Sequence, residues 1–194
     1  MSSHHIVRDN QEPALFIDAP IHNFEWIGQL LEWSPILIVN AKYMDWIVMH
    51  DLKPDIILSE TEINSEQKEK YKTDWFPLEI AEGKITENLI SMLQSKNQVY
   101  LNWFCLEENL KENADFIIKN KLNYNLQTDS KRCVIVYSEK FSKWLNPGTY
   151  SFLNNDEEFY LNNEKIISNT IEIKVAETVT LSSNKPYFFC ENLQ

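Results

Sequence analysis

Glycine is nearly missing from this chain. Its 194 residues include three, Gly28, Gly83 and Gly148, where average usage of about 7% would supply roughly 14. The nearest two stand 55 positions apart, so a phosphate-cradling P-loop or a G-x-G-x-x-G dinucleotide turn, each needing several clustered glycines, is excluded. Arginine is as scarce. Only Arg8 and Arg132 occur among the 18 basic residues, which leaves little material for bidentate recognition of phosphate or carboxylate. Positive charge as a whole is outweighed by 29 acidic residues, for a formal net charge of -11. Nucleic-acid binding rests on clustered Lys and Arg displacing counterions; no nucleic-acid partner is expected, and none at an anionic membrane surface. No stretch approaches the ~18 apolar residues of a membrane span, and residues 1–10 lack the apolar core of an export signal. A cytoplasmic protein is the expectation. Cys105, Cys133 and Cys190 are widely separated, sit in apolar or aromatic stretches and form no C-x-x-C, so all three read as reduced core residues. The four histidines have no H-x-x-x-H spacing, and zinc is not expected.

What remains is enough to fold. The chain is 43% hydrophobic and 12% aromatic, and its first part alternates short apolar runs with helical patterns. Leu15-Phe16-Ile17, Ile36-Leu37-Ile38-Val39, Ile56-Ile57-Leu58, Trp75 to Ile80 and Val99-Tyr100-Leu101 read as strands. Phe24, Ile27, Leu30 and Leu31, closed by Pro35, recur at helical spacing. So do Leu89, Ile90 and Leu93, and further helices are expected over Tyr43 to His50, Ser65 to Lys72 and Glu107 to Lys119. Alternation of this kind predicts a mostly parallel sheet flanked by helices. After about Ser138 the pattern changes. Turn clusters at Asn154-Asn155-Asp156, Asn162-Asn163-Glu164 and Ser182-Ser183-Asn184 separate short strands such as Phe159-Tyr160-Leu161, Ile171-Glu172-Ile173-Lys174-Val175 and Tyr187-Phe188-Phe189. The expected fold is therefore α/β over residues 1–138, followed by a small antiparallel β-sandwich over 139–194. A β part of that size is too small to be comfortable alone, so it is expected to pack on the first part or on a second subunit.

The local order of signals resembles the thiamine pyrophosphokinase family over nearly the whole chain. Leu52-Lys53-Pro54-Asp55-Ile56-Ile57-Leu58-Ser59-Glu60-Thr61-Glu62 is similar to that family's strand and loop of the form P-D, three apolar residues, G-D-x-D-S. Ser34 to Ala41 falls where the preceding strand ends in D-G-G-A. Thr86-Glu87 stands at the family's Thr-Asp, and Leu106-Glu107-Glu108-Asn109 with Asn113 at its R-x-D-H and Asn. Thr128-Asp129, Pro147-Gly148, Ser168-Asn169 and an aromatic strand after Lys185-Pro186 complete the order. The resemblance implies a homodimer that transfers a pyrophosphoryl group from ATP to thiamine with Mg²⁺, with thiamine pockets between subunits.

On that resemblance the catalytic acids are Glu60, Glu62, Glu87 and Glu108, with Glu60 and Glu62 as metal ligands, pointing to one side if their strand continues. All four are Glu where the family has Asp. Each is longer by one C–C bond of roughly 1.5 Å, and Mg²⁺ tolerates little error in geometry. A solvated acidic loop after a buried strand explains the same residues without any metal. The phosphate side departs further. The D-G-G-A position reads Ala41-Lys42-Tyr43-Met44, the next loop glycine is Ser59, the R-x-D-H arginine is Leu106, and only Lys42 and Lys84 are nearby cations. Without positioned cations, phosphoryl transfer loses several kcal/mol of stabilisation. On the thiamine side Ser168, Asn169 and Tyr160 are the candidate ligand-binding residues, although a Phe-Tyr strand also serves simple β packing. Three readings follow: an active divergent kinase; a protein that has lost the ATP chemistry but keeps the dimer and a small flat ligand; and an interaction protein with only the architecture, suggested by tryptophans such as Trp26, Trp33, Trp46 and Trp103.

Overall fold

The structure, a computed structural model, describes residues 12–22, 24–34, 36–71, 79–153 and 158–193. The expected turn at Asn154-Asn155-Asp156, the closing Pro35 and the first part of the Trp75–Ile80 strand lie outside them. The chain forms two compact units that divide between Leu106 and Glu107.

Unit 1 is built on five strands, β1 (Ala14–Asp18), β2 (Leu37–Asn40), β3 (Ile56–Ser59), β4 (Glu79–Glu82) and β5 (Tyr100–Cys105), with helices α1 (Phe24–Trp33), α2 (Met44–Met49), α3 (Ser65–Tyr71) and α4 (Ile85–Ser95) between them. The strands are parallel in the order β5-β1-β2-β3-β4. Burial on both faces explains why β1, β2 and β3 read as unbroken apolar runs and not as alternating ones. Leu15, Ile17, Leu37, Val39, Ile57 and Phe104 point to one face and pack with Ile27 of α1 and with Met44 and Ile47 of α2. The opposite parity, Phe16, Ile38, Ile56 and Trp103, is also buried. Ile85, Leu89 and Leu93 are the buried positions of α4, which packs on β3 and β4. Between those elements Gly83 adopts a φ of +125°, a conformation that side chains rarely tolerate. The helix expected over Tyr43 to His50 begins with a 3₁₀ turn, Ala41–Tyr43, capped by the Asn40 side chain, which accepts from the Lys42 N–H.

Unit 2 opens with a 3₁₀ turn at Glu107–Asn109 and α5 (Leu110–Lys119). Nine strands follow: β6 (Asn123–Gln127), β7 (Lys131–Val136), β8 (Lys140–Leu145), β9 (Gly148–Leu153), β10 (Phe159–Leu161), β11 (Glu164–Ile166), β12 (Thr170–Ile173), β13 (Glu177–Ser182) and β14 (Tyr187–Asn192). They pair antiparallel in the orders β12-β9-β14-β7-β6 and β11-β10-β13-β8. Between the two layers lie Val136, Leu145, Phe152, Phe159, Ile173, Val179, Leu181, Tyr187 and Phe189, the core of a sandwich. Phe152 and Phe159 stack with ring centres 4.7 Å apart. The β10–β11 hairpin turns on Asn162 and Asn163, both at positive φ, as a two-residue turn of the primed kind requires. Antiparallel structure thus begins with β6 and β7, ahead of the composition change near Ser138; Asn123-Tyr124-Asn125-Leu126-Gln127 is too polar to stand out as a strand.

The structure corrects one expectation. Cys133 and Cys190 are register partners across β7 and β14 and are joined as a disulfide, with Cα atoms 4.0 Å apart. Cys105 is buried at the end of β5 and takes no part in the disulfide. The partners are 57 residues apart in sequence, and only the strand register brings them face to face.

Candidate functional site

Two adjacent strands of unit 1 end in polar side chains on one face. Ile17 and Val39 are register partners, so the residues after them, Asp18 and Asn40, end adjacent strands side by side. Asn40 Nδ2 donates to Asp18 Oδ1 at 2.7 Å. The indole N–H of Trp103, on the other side of β1, donates to Asp18 Oδ2 at 3.3 Å. Strand order turns at β1, with β2 on one flank and the last strand, β5, on the other. A carboxyl edge at such a turning point is where open α/β sheets receive ligands. Asp18 is the residue that motif reading missed. The available signal was parity: Asp18 and Asn40 each follow by two a buried residue of the same face, Phe16 and Ile38.

Burial raises the Asp18 carboxyl above its ordinary range; hydrogen bonds from Asn40 and Trp103 and the charge of Lys42 pull it back, and Glu60 pushes it further up. A carboxyl with a raised folded pKa keeps its proton to higher pH in the folded than in the unfolded chain. Stability therefore falls as pH rises from 3.8 through the folded value. In Asp18→Asn that descent is absent, so the stability difference from the parent shifts in favour of the variant as pH rises. Urea unfolding across this range measures it; parallel curves for parent and variant refute the assignment.

Of the predicted acids, Glu60 is close enough to act on Asp18 through its charge. β3 ends at Ser59, whose hydroxyl donates to the Thr61 carbonyl at 2.7 Å, so the strand does not continue through Glu60 and Glu62; both are exposed. Glu87, in the first turn of α4, is exposed and paired with Lys84 Nζ at 2.7 Å, and this pairing raises the Lys84 ammonium. Glu108 is exposed in the 3₁₀ turn of unit 2. Its neighbour Glu107 is the engaged acid of that turn: the Lys131 ammonium and the Ser130 hydroxyl hold its carboxyl below the usual range. Glu82, at the end of β4, accepts from the Ile63 N–H at 3.2 Å and pairs with Lys68 at 3.3 Å, which pins the loop after β3. Lys42 Nζ lies 5.5 Å from the Tyr43 ring centre.

In unit 2, Ser168 and Asn169 are exposed just before β12. The Ser168 hydroxyl accepts from the Thr170 N–H at 3.1 Å and lies 3.0 Å from Thr170 Oγ1. The Asn169 carbonyl accepts from the Phe152 N–H at 2.8 Å. Tyr160 is half-buried on β10 and its hydroxyl donates to Glu158 at 3.3 Å. It lines a cavity of about 330 Å³ to which Ser168 and Asn169 do not contribute.

Solved structures with this arrangement of strands and helices include several thiamine pyrophosphokinases. That from Bacillus subtilis superposes with a TM-score of 0.63 at 10% identity, over 94% of this chain and 100% of the other. That from Candida albicans gives 0.65 at 11%, over 94% and 90%, and the yeast structure 0.62 at 7%, over 95% and 87%. The chain has the thiamine pyrophosphokinase fold. No protein-family model and no curated protein matches its sequence. No helix among the described residues is long and apolar enough to cross a membrane.

Magnesium, which a thiamine pyrophosphokinase resemblance implies, wants several oxygen donors in near-octahedral array. Among the described residues no three His, Cys, Asp or Glu side chains converge on one point. Asp18 has a donor on each oxygen and Glu87 is paired with Lys84. A magnesium ion carried with a nucleotide takes one or two carboxylates and completes its octahedron with phosphates and waters, and Glu60 and Glu62 are exposed in the loop after β3.

Proposed function

We propose that this is a thiamine pyrophosphokinase-like protein with degenerate catalytic motifs, one that keeps the fold as a homodimer for binding a small flat ligand such as thiamine and does not transfer pyrophosphate from ATP. The observation that carries the reading is Asp18, clamped between Asn40 and Trp103 at the carboxyl edge. A partly buried acid there repels a polyphosphate where phosphoryl transfer needs cations and metal, and Lys84 already serves Glu87. In this reading residues 139–194 form the ligand part, with the Tyr160 ring as the stacking surface and Ser168 and Asn169 as polar contacts. Exposed apolar side chains in unit 2, Trp144 at 61% and Ile167 at 100%, support a second copy of the chain as partner.

The competing reading, an active kinase using ATP and Mg²⁺ with Glu60, Glu62, Glu87 and Glu108, is favoured by the exposure of Glu60 and Glu62 after β3. One assay separates the two. Incubated with thiamine, ATP and divalent metals over a range of pH, the protein is expected to form no thiamine diphosphate above the protein-free blank, while calorimetry detects thiamine binding and sedimentation gives a dimer. Turnover that disappears in Glu60→Gln with Glu62→Gln overturns the proposal.

A further inference from the structure

The cavity beside Tyr160 has a composition of its own. Register sets Tyr160 opposite Ser182 and Ser182 opposite Lys140, so one row of side chains across β10, β13 and β8 forms its floor. Asn163 from the β10–β11 turn and Ser183 and Asn184 beyond β13 form its walls, with Glu139 beside Lys140 at the rim. At about 330 Å³ the space falls within the range of small-molecule sites.

The lining selects against most ligand classes. One acid beside one base gives an ion of either sign no net advantage, and a hydrophobic ligand meets a single aromatic ring among amides and hydroxyls. Asn163 and Asn184 each offer two donors and an acceptor, and each serine hydroxyl can give and take. Ser183 is 4% exposed; its Oγ accepts from the Lys185 N–H at 3.3 Å, while its own proton meets no acceptor among the described protein atoms. A buried hydroxyl in that state stabilises a ligand that supplies the acceptor. Hydroxyl groups on a saturated ring both donate and accept, and such a ring also has a C–H face to lay on an aromatic plate. We propose that this cavity binds a neutral polyhydroxylated small molecule of the pyranose or cyclitol class, its ring face on Tyr160 and its hydroxyls on Asn163, Asn184 and Ser183.

Saturation-transfer NMR on the full chain, with glucose, galactose and myo-inositol as probes and cyclohexanol as the apolar control, tests this. Transfer to the ring C–H protons of at least one polyol is expected. In Asn163→Gly, which keeps the positive φ of the turn, and separately in Asn184→Ala, the dissociation constant is expected to rise about tenfold. Unchanged thermal melting is expected in both variants, and thiamine, whose proposed stacking surface is the same Tyr160 ring, is expected to compete with the polyol in the parent protein. No transfer to any polyol, unchanged affinity in both variants, or equal binding of cyclohexanol overturns the proposal. Loss of thiamine binding with polyol binding intact bears on the proposed function and leaves this site standing.

Discussion

Refolded under reducing conditions, the protein is expected to lose about 4 kcal/mol of unfolding free energy. Cys133 and Cys190 close a loop of 57 residues, and in the chain-entropy description a loop of that length restricts the unfolded ensemble by about this amount. Against a total stability of about 5–15 kcal/mol the effect is large. The bond also sits where register matters. A slip of one residue between β7 and β14 would turn Tyr187 and Phe189 out of the sandwich core, since side chains alternate with a period of two; a covalent tie at Cys133 and Cys190 forbids it. Guanidinium unfolding of oxidised and reduced protein, with Cys133→Ala/Cys190→Ala as a third sample, measures the difference. Equal midpoints in the oxidised and reduced samples, with free thiols counted in the second, refute the assigned stabilisation.

The same disulfide marks how far sequence reading reaches. Elements whose signal is local were legible: unbroken apolar runs at β1, β2 and β3, helical spacing at α1 and α4, alternation at β12. The order of weak motifs along the chain pointed to the fold that superposition shows. What sequence concealed is what depends on pairing. Cys133 and Cys190 are ordinary core cysteines until β7 and β14 are set in register. β6 escaped notice because Asn123, Asn125 and Gln127 dilute its apolar content, although Tyr124 and Leu126 are buried. Asp18 looked like any polar residue closing a strand, and its partners stand 22 and 85 positions away.

The four glutamates show the converse. Motif order selected Glu60, Glu62, Glu87 and Glu108, yet motif order carries no information about where a strand stops. Ser59 closes β3 with its own hydroxyl bond, and from there parity no longer relates Glu60 to Glu62. Glu87 is drawn to Lys84, three residues earlier at the N-cap of the helix, a surface contact worth little to stability. Scarcity of glycine belongs with these observations. Where the resembled family has glycines beside its phosphates, this chain has Lys42, Tyr43 and Ser59, and its carboxyl edge is organised around a carboxylate and its two donors.

Trp103→Ala is expected to cost about 3–5 kcal/mol and to release Asp18 as well. Trp103 is 1% exposed, is the register partner of Phe16, and has its ring centre 5.5 Å from that phenyl ring; truncation opens a cavity between β1 and β5. The hydrogen bond to Asp18 is a separate contribution, and Trp103→Phe tests it. Phenylalanine keeps much of the aromatic packing and removes the indole donor together with part of the ring volume, for an expected cost of about 1–2 kcal/mol. If that cost comes from the bond to the carboxylate, it shrinks in an Asp18→Asn background, and the two substitutions show a coupling energy in a double-mutant cycle. Strict additivity means that the indole acts by volume alone and that Asn40 by itself holds Asp18. Coupling means that residues from β1, β2 and β5 together fix one carboxyl at the turning point of strand order.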